Sequence, residues 1–299
     1  MKKILITGIG FISQSLGEEL QKKGYEVRFL TRNPNKHPSL NCFHWDLNSK
    51  SIDHKALEGI DTIIHLAGAG ISDHRWTSKY KNELRNSRID STRLLYETIA
   101  KNNFSIKQFI GASAIGYYGT DSQLTKCFNE QDKPGDDFLA ELCVDWENEI
   151  NKFNDLSIRT SIIRTGVVFG KSRGAFEKIA SPIKKGFGAV LGSGKQIIPW
   201  IHISDLVNIY LWCMDQHKIG IYNAVAPTSI SNKELTFLIA DKLQKKIWLP
   251  NAPVFVLKIV LGEMSTIILN GNDICSTKLT SESFAFKFPN PDKAIEDLL

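Results

Sequence analysis

A short apolar run that leads directly into two glycines constrains the fold of this chain more than any other feature. Lys3–Thr7 has the composition of a buried strand, and Gly8-Ile9-Gly10 follows it before a helical pattern over Phe11–Lys23. Strand, glycine turn and helix in this order are typical of dinucleotide-binding proteins, because the helix N-terminus offers free N–H groups to a pyrophosphate. We expect Gly8 to permit the turn and Gly10 to let the backbone approach the ligand.

Ser13 stands at the third position of this glycine fingerprint, where a small residue keeps the helix close to the strand. The alternative interpretation is a plain strand–helix turn that needs glycine only for its geometry. The residues of the turn that we predict to bind a cofactor are Thr7, Gly8, Gly10, Phe11 and Ile12.

Further apolar runs follow the first one and alternate with helical patterns. Continuous hydrophobic runs are buried on both faces, as in parallel sheets that are covered by helices. The pattern therefore predicts an α/β fold with a Rossmann-type doubly wound parallel sheet. The predicted strands are Glu26–Thr31, Asn41–Trp45, Thr62–Leu66, Gln108–Ser113 and Ile158–Arg164, and the long predicted helices are Ser78–Lys101 and Asp137–Phe153.

The pattern changes after Arg164, where glycine-rich turns interrupt it. A helix over Ser204–Met214 and a strand over Ile221–Ala224 still fit the sheet, whereas the chain beyond them is mainly helical with a strand-like piece at Phe284–Phe288. We therefore predict an NADP-binding Rossmann domain over 1–165, to which 200–225 returns. Residues 166–199 and 226–299 are predicted to form a smaller, mostly helical C-terminal lobe that meets the substrate.

Charge and cysteine content exclude several classes of protein. The chain has 37 Lys and Arg against 32 Asp and Glu, without a basic block, so we expect no nucleic-acid partner. Lys258 and Glu263 interrupt the apolar stretch Ala252–Leu269, which is predicted to be a buried amphipathic helix, and we expect no membrane partner.

The five cysteines form no CxxC pair, which predicts neither a disulfide framework nor a zinc site. We expect no metal, a cytoplasmic location, and a monomer or homodimer.

The end of the second strand indicates which cofactor is preferred. NAD-binding sites place a carboxylate there for the ribose hydroxyls, but this chain has Thr31-Arg32-Asn33-Pro34. Arg32 can make charge-assisted hydrogen bonds to a 2′-phosphate, and Thr31 or Asn33 can add neutral ones. The prediction is NADP(H), against the alternative of a solvent-facing arginine in a turn.

Several short motifs along the chain resemble those of a known family. They are Leu66–Gly68, Arg75–Thr77, Ser87-Arg88, Ser113–Gly119, Pro134–Leu139, Arg164–Val168, Leu191–Gly194, Trp200–His202, Asn223–Pro227 and Leu261–Met264. Through these motifs the chain is similar to the atypical extended short-chain dehydrogenases/reductases, specifically the YfcH-like epimerase family. The family's first turn usually reads TGGTGFIG and is one residue longer than the turn here.

The resemblance implies further cofactor contacts. Asp46 and Leu47, after the third strand, correspond to residues that hold the adenine. Leu66, Ala67 and Gly68, after the fourth strand, correspond to residues beside the pyrophosphate and ribose. These turns follow adjacent parallel strands, whose carboxyl ends are where ligands bind in such sheets.

The catalytic pair of these enzymes is missing. They usually carry Tyr-x-x-x-Lys on a helix, and none of the seven tyrosines here has a lysine four residues later. The remaining hydroxyl candidates are Ser113, Tyr117 and Tyr118, of which Tyr117 is predicted to be the proton donor because Ser113 precedes it by four residues. The carboxylates of Asp136, Asp137 and Glu141 are the next candidates.

One helix face and two histidines complete the set of candidates. Lys81, Arg85, Arg88 and Thr92 recur at helical spacing, so they share a face that either binds an anionic substrate or is solvated. Arg88 occupies the position of the family's supporting Asn. His65 and His202 are predicted to be structural.

These features predict an NADP(H)-binding oxidoreductase or epimerase-like protein that acts on a small hydroxyl or carbonyl compound, with nucleotide sugars as one class. Because the Tyr–Lys pair is absent, the alternative is a non-catalytic NADP(H) sensor or scaffold.

Overall fold

The computed structural model, which describes residues 2–120, 126–171 and 173–299, contains one central sheet of eight strands. All neighbouring strands are parallel except for the last pair, which is antiparallel. From edge to edge, numbered in chain order, the strands are β12 (Gly220–Ala224), β8 (Arg159–Thr165), β6 (Gln108–Ala114), β5 (Thr62–His65), β1 (Lys3–Thr7), β2 (Glu26–Thr31), β3 (Cys42–Asp46) and β4 (Ser51–Ile52).

The strand order reverses between β1 and β5. From β1 the chain proceeds outward through β2 and β3, and then returns to the other side of β1 to continue with β5, β6 and β8. Such a topological switch point opens a crevice at the carboxyl ends of the two central strands. Thr7 and His65 are paired at these ends, so the glycine turn and the loop after β5 lie side by side.

Helices cover both faces of the sheet, as predicted. On one face, α1 (Phe11–Lys22) and α5 (Ile203–Asp215) bury Leu16 and Leu206 against Ile4 and Ile6. On the other, α2 (Ser78–Asn102) and α3 (Phe138–Asn151) contribute to a second core that includes Leu5. The alternation of Ile4, Leu5 and Ile6 between the two cores explains why this strand is apolar at every position. The Rossmann-type doubly wound fold is thereby confirmed.

The C-terminal region is largely helical, as predicted, and has its own core around Phe176, Trp200 and Leu235. Its helices are α4 (Gly174–Lys184), α6 (Asn232–Lys242), α7 (Val254–Leu261), α8 (Ser265–Leu269), α9 (Thr277–Ser281) and α10 (Pro291–Leu298). Its short strands form the pairs β9 (Val167–Gly170) with β11 (Trp200–His202) and β10 (Ile197–Ile198) with β13 (Ile230–Ser231). A further strand of this region, β14 (Asp273–Ile274), pairs with β7 (Cys127–Phe128) from the first half of the chain. The division into domains stays a prediction.

The prediction of a buried helix over Ala252–Leu269 is wrong. Gly262, at a φ of 60°, ends α7, and α8 follows as a separate helix. None of the α7 residues is buried, and Phe255 and Ile259 are 65% and 69% exposed. An apolar composition indicates a tendency to be buried, but it does not provide a surface against which to pack.

Two other expectations also need correction. Phe284–Phe288 is not a strand, because the N–H groups of Lys287 and Phe288 donate to the Asp205 carboxylate at 2.7 and 2.9 Å instead of to a neighbouring strand. We predicted no disulfide framework, and the structure contains one disulfide, between Cys127 and Cys275. These cysteines are 148 positions apart and meet only because β7 pairs with β14.

Candidate functional site at the switch point

The first turn requires glycine at Gly8 for two reasons. Its φ is +77°, which L side chains rarely adopt, and a Cβ there would lie 3.2 Å from the Cα of Ala67. The turn therefore approaches the loop after β5 at the distance of direct backbone packing. The Gly8 N–H donates to the carbonyl of Leu30 at 2.8 Å, which also joins the turn to the end of β2.

Ser13 gives the shortened turn a different construction from the all-glycine fingerprint. Its hydroxyl accepts a hydrogen bond from the Gly10 N–H at 2.7 Å and lies 3.1 Å from the Gly10 carbonyl. The close approach of helix to strand falls instead at Gly17, where a Cβ would lie 2.6 Å from the Phe29 ring. A Cβ on Gly10 would meet no atom nearer than the Ser13 hydroxyl at 4.0 Å, so the space in front of Gly10 is open. This open cradle fits the approach of a pyrophosphate.

A hub of buried hydrogen bonds joins β1, β5 and α2. The Thr7 hydroxyl accepts hydrogen bonds from the N–H groups of Leu66 and Ala67 at 3.1 and 3.2 Å, and it lies 2.7 Å from Nδ1 of His65. On the other side of the ring, Nε2 lies 3.2 and 3.0 Å from the hydroxyls of Ser91 and Thr92. One buried threonine therefore fixes the start of the loop that follows β5.

The hydrogen-bond pattern assigns the protonation state of His65. The Thr7 hydroxyl already accepts two N–H groups, so its hydrogen is donated to Nδ1, while the Ser91 and Thr92 hydroxyls donate to main-chain carbonyls of α2 and can accept from Nε2–H. Burial lowers the pKa of His65 to about 3, with a further lowering by the positive charge of Arg88. His65 is therefore a neutral structural residue, in agreement with the prediction.

Side chains of α2 and the segment before it bind the rest of this loop. Ser87 accepts the Ala69 N–H at 2.9 Å, and Nη2 of the adjacent Arg88 donates to the Ala69 carbonyl at 3.0 Å. The Tyr80 hydroxyl donates to the carbonyl of Gly70, and the Trp76 indole donates to that of Ile71 at 2.9 Å. We call residues 66–71 the clamped loop, because side chains hold its backbone along its length.

The predicted contacts of the adenosine half lie at the ends of β2 and β3. Arg32 is exposed and makes no hydrogen bond or ion pair with the described residues, while the Thr31 hydroxyl accepts the Asn33 N–H at 3.3 Å. Asp46 accepts the Asn48 N–H at 2.9 Å and a hydrogen bond from Ser49 at 3.1 Å. The hydrogen bond from the Asn48 N–H is the main cause that lowers the pKa of Asp46. Leu47 packs partly buried against the second core.

A buried ionic network fills the space beneath the ends of β6 and β8. The Ser113 hydroxyl donates to Glu147 at 2.7 Å, and the Glu147 carboxylate also forms a bidentate pair with Arg164, at 2.8 Å from both Nε and Nη2. Nη1 of Arg164 donates to the Tyr118 hydroxyl at 2.9 Å, which in turn donates to the Asn223 side chain at 2.7 Å. The hydroxyls of Ser113 and Tyr118 are thus engaged within the protein.

The two adjacent tyrosines differ in their surroundings. Tyr118 is 3% exposed, and burial raises its pKa to about 12 against the opposing effect of Arg164. Tyr117 is only partly buried; the Arg164 guanidinium lies 3.3 Å from the centre of its ring, and within the described residues its hydroxyl has no hydrogen-bond partner. The three predicted hydroxyl residues therefore lie together, and among them the Tyr117 hydroxyl is the one without a hydrogen-bond partner in the described part of the chain.

Helix α3 carries neither group of the usual pair. Leu139 and Cys143 face Gly116, where a Cβ would lie 3.2 Å from the Leu139 Cβ and 3.8 Å from the Cys143 sulfur. Burial raises the pKa of the Cys143 thiol to about 12, so the thiol is protonated and inert. Asp137 caps α3 by accepting the Ala140 N–H at 3.0 Å, which makes it a helix cap in this structure.

The polar face of α2 is divided among several partners. Lys81 pairs with Glu263 at 2.6 Å, Arg85 pairs with Asp145, and Thr92 belongs to the His65 hub. Arg88 is the cation of this face whose hydrogen bonds in the described structure all go to carbonyls, those of Leu84 and Ala69, each at 3.0 Å. The face is therefore neither a continuous anion site nor a freely solvated stripe.

Sequence reasoning missed Glu147, Arg164 and Asn223 as network residues. A signal was present, because Glu147 follows Cys143 by four residues and adjoins Trp146 on the apolar stripe of α3. A carboxylate on a buried helix face requires a cationic partner, although the sequence did not identify which cation. In the described parts of the chain, no cluster of His, Cys, Asp and Glu has the arrangement of a metal site, and no helix combines the length and apolar character needed to span a bilayer.

Comparison with known proteins agrees with this geometry. The model of the NAD dependent epimerase/dehydratase family matches residues 4–224, and a domain of unknown function, DUF1731, matches residues 252–298. The chain belongs to the epimerase/dehydratase family. It is 32% identical to the epimerase family protein SA0724 of Staphylococcus aureus over 303 residues, covering all of this chain and 99% of that protein. The resemblance to the YfcH-like epimerase family is thereby confirmed.

Two solved structures of the epimerase/dehydratase fold are especially similar. The human epimerase family protein SDR39U1, solved with NADPH, superposes with a TM-score of 0.87 at 28% identity over 99% of this chain and 98% of that one. The nucleoside-diphosphate sugar epimerase from Corynebacterium glutamicum gives 0.81 at 29% identity over 100% of this chain, but only 58% of its own length.

Proposed function

We propose that this protein binds NADP(H) and acts as an oxidoreductase or epimerase on a small hydroxyl or carbonyl compound. The observation that carries the proposal is Arg32, an exposed cation without a protein partner in the described residues, at the end of β2 beside the glycine turn. No carboxylate occurs between Thr31 and His37 to repel a 2′-phosphate. The presence of NADPH in the human SDR39U1 structure supports the same cofactor here.

The other proposed cofactor contacts surround the switch point. The residues that would approach the pyrophosphate through the open cradle are Thr7, Gly8, Gly10, Phe11 and Ile12. Thr31 would assist Arg32. Asp46 and Leu47 would hold the adenine. The residues at the start of the clamped loop that would contact the nicotinamide-side ribose are Leu66, Ala67 and Gly68. When bound, the cofactor supplies a hydride donor or acceptor.

Replacement of Arg32 tests the cofactor preference. Arg32→Ala should weaken NADPH binding by about 1.5–3 kcal/mol, the loss of a hydrogen bond to a charged group, and should leave NADH binding nearly unchanged. Titrations followed by tryptophan fluorescence measure both affinities. Arg159→Ala is the matched control, because Arg159 is an exposed arginine at the opposite, amino end of β8. Equal losses for NADPH and NADH would remove Arg32 from the 2′-phosphate site.

We propose Tyr117 as the residue that exchanges a proton with the substrate oxygen. Support comes from its hydroxyl, which has no hydrogen-bond partner among the described residues, whereas Ser113 and Tyr118 donate to Glu147 and Asn223. In this role Arg164, fixed by Glu147, would hold the Tyr117 ring in place. Ser113 and Tyr118 would act through the same network.

Turnover measurements test this assignment. Tyr117→Phe should lower the rate by about 10²–10⁴-fold, the usual contribution of general acid–base catalysis, with NADPH affinity retained. A panel of carbonyl compounds and nucleotide sugars provides the substrates, since one similar structure is a nucleoside-diphosphate sugar epimerase. Tyr96→Phe on α2 is the control. Full activity of Tyr117→Phe would assign the proton to another group, with Asp137 and Glu141 as the next candidates.

A non-catalytic NADP(H) sensor or scaffold is the second candidate function. It is favoured by the composition of α3, which contains neither a tyrosine nor a lysine that could transfer a proton. Tight NADPH binding without turnover across the whole panel would support it. The cytoplasmic location and the monomeric or homodimeric state stay predictions from the sequence.

A further inference from the structure

Arg88 is the cation of the α2 face that no negative charge in the described structure balances. Its Nη1 and Nη2 atoms each donate to a main-chain carbonyl at 3.0 Å, whereas the neighbouring Lys81 and Arg85 are both paired with carboxylates. A guanidinium has five N–H groups, so these two bonds leave three without a described partner. Arg88 is therefore held firmly in place with part of its hydrogen-bonding capacity unused.

The position of this guanidinium is at the wall of the crevice. A Cβ on Gly68 would lie 3.1 Å from the Arg88 Cζ, so the absence of a side chain at Gly68 is what admits the guanidinium against the clamped loop. The Arg88 Cζ also lies 5.2 Å from the centre of the Trp146 ring. Gly68 is itself exposed, and a ligand against this glycine would therefore come close to the charge.

The electrostatic surroundings offer little compensation within the protein. Burial lowers the pKa of Arg88, and the opposing contributions come only from Cys143 and Tyr80. The Cys143 thiol is protonated and the Tyr80 phenol has its pKa raised by burial, so both groups are neutral at physiological pH. A partly desolvated cation with neutral neighbours gains most from an anion that arrives with a ligand.

We propose that Arg88 is an anion-binding residue of the crevice and takes a carboxylate or phosphate oxygen of a ligand that lies against Gly68. The planar guanidinium suits such oxygens, because it can donate two parallel hydrogen bonds to them. The inference rests on the proposed function in that the crevice is taken as the cofactor and substrate site. The anion has two possible sources, the cofactor's own diphosphate or an acidic group of the substrate.

Titration with inorganic phosphate tests the proposal and distinguishes the sources. Intrinsic tryptophan fluorescence, to which Trp146 beside Arg88 contributes, reports binding, first to the protein without cofactor and then to the protein saturated with NADPH. Phosphate that binds only in the absence of NADPH indicates the diphosphate of the cofactor. Phosphate that still binds to the NADPH complex indicates an acidic group of the substrate. In both cases Arg88→Gln should weaken phosphate binding by about 10- to 100-fold, the loss of hydrogen bonds to a charged group.

Two further variants separate binding from folding. Gly68→Ala should also weaken phosphate binding, because the added methyl group displaces the Arg88 guanidinium. It removes no charge and none of the side chains that hold the clamped loop. Arg93→Gln is the control on the same helix, since Arg93 pairs with Glu149 at 2.8 Å, and it should bind phosphate as the wild type does. If Arg88→Gln does not fold, as judged by circular dichroism, the phosphate affinity of Gly68→Ala decides the test.

The proposal is overturned if the wild type binds no phosphate, or if Gly68→Ala and a folded Arg88→Gln bind it with wild-type affinity. Failure of the wild type to bind NADPH, with an Arg88-dependent phosphate signal, would instead contradict the proposed function alone.

Discussion

The clamped loop and helix α7 are both attached to the molecule by polar contacts, but they differ in what lies beneath those contacts. The buried Thr7 of β1 and partly buried side chains of α2 hold the backbone of the clamped loop. Helix α7 presents a mainly apolar sequence to solvent. Within the described residues, one hydrogen bond joins it to the first half of the chain, from Arg75 to the carbonyl of Ile259 at 3.0 Å.

This difference shows that apolar composition and specific attachment to the rest of the fold are separate properties of a segment. The backbone groups of the clamped loop have specific partners even at Ala69 and Gly70, which have a small side chain or none. Helix α7 contains Val, Ile, Leu and Phe, yet none of its residues is buried. A ligand in the crevice would therefore meet a preorganised wall on the clamped-loop side, where hydrogen-bond geometry is already set.

The strongest test of this contrast is to remove the hub hydroxyl. Thr7→Val keeps the shape of the side chain but leaves the N–H groups of Leu66 and Ala67 and the Nδ1 of His65 without their buried partner. We expect the free energy of unfolding to fall by about 3 kcal/mol, since each such group costs about 1–3 kcal/mol. Urea denaturation measures it. The control is Thr98→Val, whose hydroxyl bonds only a carbonyl within α2; an equal loss there would contradict a special role for Thr7.

An effect that is smaller per pH unit should appear in the pH dependence of stability. Between pH 6.5 and about 3 the unfolded chain binds a proton at His65 that the folded protein does not, so stability falls as the pH decreases through this range. The slope for one such histidine is at most about 1.4 kcal/mol per pH unit. His202, whose pKa burial lowers to about 4, adds a similar contribution. His65→Gln should therefore reduce the slope of the unfolding free energy against pH by up to the contribution of one proton. Urea denaturation at a series of pH values measures this slope, and an unchanged slope would refute the neutral, buried state of His65.

The smallest effect is expected at α7. Ile259→Ser should change the free energy of unfolding by no more than about 0.5 kcal/mol, because a substitution on an exposed surface removes little packing. Leu95→Ala, a truncation at a fully buried position of α2, should cost about 2–5 kcal/mol under the same conditions. A loss above about 1 kcal/mol for Ile259→Ser would show that α7 is covered in solution.

The sheet and its helices were predictable because their signals are local. The apolar runs of β1, β2, β5 and β6 and the start of α2 lie within one or two residues of the predicted bounds. Such patterns depend only on the period of side chains along one element. The fold class followed from the alternation of these elements.

The site was only partly predictable, since its polar contacts join distant parts of the chain. The glycine turn was visible as a motif, but the hub requires Thr7, His65 and Thr92 to meet, and the ionic network requires Glu147 to meet Arg164 across two elements. Helix α7 shows the opposite case, where a clear apolar pattern predicted burial and the tertiary structure left it exposed.

The disulfide gives the molecule a covalent topology that the sheet does not share. Closure of Cys127 onto Cys275 makes the intervening chain a ring, which contains β8 and β12 but excludes β1, β2, β3, β5 and β6. The boundary between ring and linear arm therefore runs along the ladder that pairs β6 with β8, from Gln108–Arg159 to Ala114–Thr165, with two strands of the central sheet on one side and six on the other. A single proteolytic cut inside the ring would leave both fragments linked until a reductant is added, whereas a cut in the N-terminal arm would release strands that only hydrogen bonds and packing retain.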